Sequence, residues 1–171
     1  MIHIYHGDGK GKTTAAMGLA LRMIGYGEPV FAVQFLKGSL SGEIAALLKL
    51  AGVTILRGKP GTKFVFQMCP KEIAEIKVLH MRQLGLAFEA AYTGKAKLLL
   101  LDEVLDAVST ATIEEDTLLD LIKGCPNDVE IVLTGRNPSQ SLIQIADYVT
   151  EMKNIKHPYQ QGIPARKGVE Y

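Results

Sequence analysis

The chain has 171 residues, 47% of them hydrophobic, and 19 basic against 18 acidic residues leave a formal charge of +1. That length suits one domain, residues 1–171, with a substantial core, and so small a net charge excludes an electrostatic case for nucleic-acid or membrane-surface binding. Cys69 and Cys125 lack the close spacing of a zinc site or redox pair, no apolar run reaches the roughly 18 residues of a spanning helix, and Met1 leads straight into a strand with no room for a signal peptide, so the expectation is a cytoplasmic protein with reduced thiols.

The first element is a short apolar strand, Ile2-His3-Ile4-Tyr5, and it runs into Gly7-Asp8-Gly9-Lys10-Gly11-Lys12-Thr13-Thr14. Three glycines within five residues permit positive φ values and let backbone N–H groups approach an anion without a Cβ in the way. Lys12 adds a point charge, and the Thr13 hydroxyl is placed to ligate Mg²⁺. Thr14 to Ile24 has helix-forming composition, so the positive end of a helix dipole points at the same anion. One departure is visible: the pattern G-x-x-x-x-G-K-[ST] puts its first glycine at position 6, where this chain has His6. The loop is therefore shortened or differently wound. A chance Gly/Lys cluster in a surface turn is the plain alternative, and the strand before and helix after argue against it.

Pro29-Val30-Phe31-Ala32-Val33-Gln34-Phe35 is a nearly continuous apolar run, too short for a typical helix, and reads as a strand buried on both faces. After the loop Leu36-Lys37-Gly38, a helix starts at Ser41 or Gly42 and runs through Leu50. Val53-Thr54-Ile55-Leu56 is a short strand. Arg57 to Pro70 is irregular and contains Pro60, Gly61, Phe64 and Phe66; its two aromatics could simply tuck into the core. Pro70 opens a long crossover helix to about Ala91.

Lys97 to Glu103 is a hydrophobic strand ending in two carboxylates. Thr112-Ile113-Glu114-Glu115 resembles a capping box ahead of a helix from Asp116 to Lys123. Val129 to Thr134 is the next strand, leading into Gly135-Arg136. A short helix around Ser139 to Ala146 and a strand near Tyr148 to Met152 follow, and Asn154 to Tyr171 looks irregular. This alternation implies an α/β fold with a mainly parallel sheet covered on both faces, its ligand site at the carboxyl ends of the strands.

Asp102 and Glu103 then stand where they can hold Mg²⁺ directly or through water, opposite the phosphate cradle. Arg136 can fork onto a phosphate or ribose edge, or can be a surface arginine beside a carboxylate. His157 in the tail could contact a nucleotide or be a solvated loop residue, while His3 and His80 read as ordinary strand and helix residues. No Asp-His-Ser or Cys-His arrangement presents itself. These residues describe a Mg²⁺-nucleoside triphosphate site without naming a reaction.

From end to end the sequence resembles the P-loop type of ATP:corrinoid adenosyltransferase. The resemblance rests on Gly7 to Ala16, on Val33-Gln34-Phe35-Leu36-Lys37-Gly38, on Leu101-Asp102-Glu103, on Thr134-Gly135-Arg136, and on Lys156-His157-Pro158-Tyr159 with Gly162 and Gly168-Val169-Glu170-Tyr171. It implies a RecA-like, P-loop NTPase-like three-layer sandwich. It also implies transfer of the 5′-deoxyadenosyl group of Mg-ATP to the Co(I) centre of a corrinoid, with the triphosphate released whole. Gly9, Lys10, Gly11, Lys12, Thr13 and Thr14 would then hold the triphosphate, Gly7, Asp8 and Arg136 would contribute to nucleotide binding, and Lys12, Thr13 and Glu103 would be catalytic. Thr13, Asp102 and Glu103 would hold Mg²⁺. Phe64 and Phe66 fall where the family places aromatics over the corrinoid. They stand within Lys63-Phe64-Val65-Phe66, where the family commonly has Gly-Phe-Thr-Trp, and Leu105-Asp106 replaces a tyrosine that follows Asp-Glu. Some members carry an N-terminal arm over the site, and the expectation for this chain is a site without one. A homodimer and an electron-donating flavoprotein partner are further implications of the resemblance. The competing readings are a RecA-like kinase or ATPase and a carrier that binds corrinoid or ATP without turnover.

Overall fold

The computed structural model describes residues 1–36, 42–58 and 65–170. Six strands form one sheet: β1 (Ile2–His6), β2 (Val30–Gln34), β3 (Val53–Arg57), β4 (Leu98–Asp102), β5 (Glu130–Thr134) and β6 (Tyr148–Glu151). Their order is β3-β2-β4-β5-β1-β6, and every pairing is parallel. Parallel neighbours require crossovers, and helices supply most of them: α1 (Lys12–Gly25), α2 (Gly42–Leu47), α3 (Pro70–Tyr92), α4 (Val104–Ser109), α5 (Glu115–Lys123) and α6 (Gln140–Ile145).

The reason for three layers is visible in β4. Its residues alternate between faces, as strand geometry dictates. Leu98 and Leu100 join Ala16, Met17, Ala20, Ile44 and Leu47 from α1 and α2 on one side, while Leu99 and Leu101 pack with Leu84, Ala87 and Phe88 of α3 on the other. With apolar cover on both faces, β2 and β4 are buried at all five positions. β6, at the sheet's edge, is exposed throughout.

α3 begins at Pro70, and the Glu72 carboxylate accepts the Cys69 backbone N–H at 2.8 Å, satisfying a donor at the helix entrance. The capping box expected at Thr112 does not form. α5 starts after Glu114, which makes no side-chain cap. Thr112 is instead buried, and its hydroxyl lies 3.0 Å from both the Ala107 carbonyl and His80 Nδ1. Nor is His80 an ordinary helix residue. It is fully buried, and its Nε2–H donates to the Phe35 carbonyl at 2.8 Å, tying α3 to the end of β2. Burial pushes its pKa down, partly opposed by the Phe35 carbonyl, so the ring sits neutral in the core.

Two further differences concern local structure. The short helix α4 directly after Glu103 has no counterpart in the sequence reading, and α2 ends at Leu47 rather than Leu50. Part of the irregular stretches is ordered into single 3₁₀ turns, Val65–Gln67 and Pro158–Gln161.

Candidate active site

β1 continues one residue further than expected, through His6, whose pairing partner is Glu151 of β6. The residue that would be the loop's first glycine is thus the last residue of the strand, and the loop opens at Gly7 with φ 109°. Gly7 and Gly9 are needed for a reason internal to the fold. A Cβ on Gly7 would lie 2.5 Å from the Met152 carbonyl oxygen, and one on Gly9 would lie 2.6 Å from the same atom and 2.8 Å from the Lys153 carbonyl. The Gly9 N–H donates to that Met152 oxygen at 2.7 Å, and the Asn154 N–H donates to Asp8 Oδ1 at 3.2 Å. The chain after β6 therefore lies directly against the loop and shapes it.

Gly11, at φ 116°, turns the loop into α1. Gly11, the residue at the N-cap, supplies no side-chain cap, and the helix's first turn contains no acidic residue. Its leading N–H groups and the positive end of its dipole consequently face the cleft, the arrangement that binds phosphate elsewhere in proteins. Lys12 is the first helical residue, and its Nζ donates to the Gly9 carbonyl at 2.7 Å, which closes the loop on itself.

Opposite lies the end of β4. Because β5 separates β1 from β4 in the sheet, a gap of about 10 Å has to be bridged. Two threonines bridge it. Thr13 Oγ1 donates to Asp102 Oδ1 at 2.8 Å from α1, and Thr134 Oγ1 donates to the same oxygen at 2.7 Å from the end of β5. Gln34 Nε2 donates to Asp102 Oδ2 at 3.0 Å, and Gln34 Oε1 accepts from Arg57 Nε at 3.1 Å. Asp102 is thereby held, fully buried, beneath the loop. Thr134 Oγ1 also accepts the Glu103 N–H at 2.9 Å, at a residue with φ 60°, a left-handed conformation that non-glycine residues rarely adopt. That backbone turn starts α4 and leaves Glu103 half-buried at the cleft wall.

Next to it, Asp106 of α4 approaches so closely that a Cβ on Gly135 would lie 2.7 Å from its Oδ2. Burial pushes the Asp106 carboxyl above the usual carboxylate range, opposed by the charge of Arg136 and by the Arg136 backbone N–H that it accepts. Arg136 itself is exposed on the cleft wall.

These groups enclose a cleft of about 870 Å³, in the upper part of the range for small-molecule sites. Asp8 to Thr14, Glu103, Arg136 and Phe66 all line it, whereas Gly7 lies behind at the strand junction and Asp102 beneath. Phe66 is 84% exposed, so it is not tucked into the core. Phe64 lies outside the described residues, as do Lys37, Gly38 and Ser41. His157 reaches the same wall but uses Nδ1 to accept the Tyr159 N–H at 3.2 Å.

With this geometry in view, a family model described as ATP:corrinoid adenosyltransferase BtuR/CobO/CobP matches residues 1–171. The chain belongs to that family. As a corrinoid adenosyltransferase by family it aligns with named relatives along nearly its whole length. A corrinoid adenosyltransferase of Sinorhizobium sp is 34% identical, covering 100% of this chain and 80% of the relative. That of Pseudomonas aeruginosa is 32% identical, over 98% of this chain and 82% of the relative. The corrinoid adenosyltransferase CobA of Salmonella typhimurium is 29% identical, over 100% and 85% respectively.

Three sets of contacts at this cleft are made by residues that stand in the motifs carrying the resemblance but were given no role from the sequence. Gln34 had a signal, being the one polar side chain in an apolar strand. Thr134 had a weaker one, as the last residue of a strand with the right length to reach the loop. The contact of Val169 and Glu170 with the glycine loop had no local signal, because 159 and 160 residues separate them from Lys10.

Proposed function

We propose that this adenosyltransferase binds Mg-ATP with its triphosphate in the loop from Gly7 to Thr14 and with the ribose 5′-carbon turned toward a reduced corrinoid. The observation that carries the reading is the start of α1 lining the cleft directly after the glycine loop, joined through Thr13 to the buried Asp102. Such a site holds polyphosphate, and the family's chemistry makes that polyphosphate the leaving group. The Co(I) of the corrinoid attacks the 5′-carbon, a cobalt–carbon bond forms, and the carbon–oxygen bond to the triphosphate breaks. The nucleophile arrives with the substrate, so the chain needs no general base.

What the protein supplies is position and charge. The leading N–H groups of α1 and the Lys12 ammonium stabilise the charge that grows on the departing triphosphate. The donors at its edge, the Thr13 hydroxyl and the Asp102 and Glu103 carboxylates, are all oxygen, which suits Mg²⁺. Asp102 already accepts two hydroxyls on one oxygen, so its part is to orient Thr13 and to hold the ion through water, while Glu103 faces the cleft. Bound there, Mg²⁺ would draw further charge from the triphosphate. Arg136 contacts the nucleotide from the opposite wall, and Phe66 offers an apolar ring to the corrinoid face. The same reading carries a flavoprotein electron donor, a homodimer and a cytoplasmic location, each supported by the family resemblance.

The test is to mix the protein with ATP and chemically reduced cobalamin and follow the Co(I) spectrum. Loss of that spectrum with formation of a light-sensitive alkylcobalamin and one triphosphate is expected; release of ADP and phosphate would overturn the reading. Lys12→Ala should abolish ATP use while corrinoid binding persists, and equal loss of both would refute the assigned partition of the cleft.

A further inference from the structure

The loop's two lysines face different partners. Lys12 turns inward to the Gly9 carbonyl, whereas Lys10 turns outward, donating to the Val169 carbonyl at 2.8 Å and to Glu170 Oε1 at 3.3 Å. Glu170 is itself held: its carboxylate accepts the Arg166 backbone N–H at 2.7 Å, Arg166 Nη2 at 3.0 Å and Arg166 Nε at 3.3 Å. Val169 and Glu170 line the same cleft as the loop. The tail thus carries an anchored carboxylate to a loop built to receive anions.

We propose that Glu170 is an exchange partner for Lys10: it holds the lysine when the loop lacks polyphosphate, yields it when a triphosphate enters, and reclaims it as the triphosphate departs. The inference rests on the loop being the triphosphate site. A carboxylate and a phosphate oxygen offer Lys10 the same kind of charge-assisted bond, and Lys10 already commits two of its three N–H donors to the tail, so an entering phosphate competes with Glu170 for the lysine's position and charge. Glu170 loses little by the exchange, because Arg166 still neutralises it. Arg166 holds the Glu170 carboxyl down at about 2, so the competing anion is present at every working pH. For an enzyme whose leaving group carries more charge than any other part of its substrate, a built-in competitor weakens product retention without removing the lysine.

The experiment measures binding of inorganic triphosphate to the full chain by calorimetry at low ionic strength. Glu170→Gln, which keeps an oxygen for the Arg166 N–H, is expected to tighten binding about two- to fivefold, the scale of one exposed ion pair. That gain should shrink in high salt. In a Lys10→Met background the same substitution should change nothing, because the contested lysine is gone. Unchanged or weaker binding by Glu170→Gln overturns the exchange, and so does a gain that persists in Lys10→Met, which would mark general repulsion by the carboxylate. Lys12→Ala separates the two layers of the argument. If it abolishes triphosphate binding while Glu170→Gln has no effect, the exchange fails and the site stands; if it leaves binding intact, both fall.

Discussion

Thr134 donates its hydroxyl proton to Asp102 at 2.7 Å and accepts the neighbouring Glu103 N–H at 2.9 Å with the same oxygen. One side chain on β5 therefore fixes both acidic residues at the end of β4. Thr134→Val removes the donor and the acceptor while nearly keeping the volume. A buried carboxylate and a backbone N–H each lose a partner, so unfolding free energy should fall by about 1–3 kcal/mol. Supporting hydrogen bonds of this kind usually govern activity as well, and kcat/KM for ATP should drop about tenfold or more. Thr134→Ser should restore most of both in thermal unfolding and steady-state assays.

The two kinds of glycine near the loop should respond oppositely to alanine. Gly9→Ala drives a Cβ into the Met152 and Lys153 backbone and should displace the loop, lowering both the melting temperature and ATP affinity. Gly18 lies on the exposed side of α1 with nothing within 4 Å of its Cβ position. Gly18→Ala should stabilise the protein by about 0.5–1 kcal/mol and leave turnover unchanged, as read by urea unfolding and cobalamin alkylation.

His80 sets a pH dependence. Its folded pKa lies below its unfolded value near 6.5, because burial disfavours the imidazolium. The unfolded chain therefore binds a proton that the folded chain refuses, and stability falls as pH drops below about 6.5 until the folded pKa is reached. Above that range the contribution is constant. Urea midpoints measured from pH 8 to pH 5 should show the decline, and His80→Gln, though less stable throughout, should flatten it.

Phe66 is exposed, so Phe66→Ala should leave stability within about 0.5 kcal/mol of the parent. If its ring covers the corrinoid, the reaction started from Co(II) with a reductant should slow, and the reaction started from Co(I) should not. An unchanged Co(II) rate would deny Phe66 a part in the chemistry.

Local patterns made much of this architecture legible. The apolar runs at Val30 to Gln34 and Leu98 to Asp102 carry their burial in composition alone, and the glycines between β1 and α1 mark a tight loop with positive φ, though not how it is wound. Patterns failed where a residue's role is decided by a distant partner. Thr112 has the local look of a cap, yet a buried imidazole 32 residues away claims its hydroxyl. Gly7 and Gly9 look like provisions for phosphate, and their closest neighbour is the protein's own backbone at Met152. His6 looked like a defect in the loop only because the length of β1 depends on β6, which pairs with it from the far end of the chain.

The left-handed turn at Glu103 has a consequence for the protein as a whole. A side chain there costs on the order of 1–2 kcal/mol that glycine would not incur. Glu103→Gly keeps the N–H that Thr134 receives and relaxes the backbone, so it should raise the melting temperature while turnover is lost. If Glu103 serves the proposed Mg²⁺ site, robustness and catalysis pull in opposite directions at this position, and the working enzyme is the less comfortable of the two folded chains.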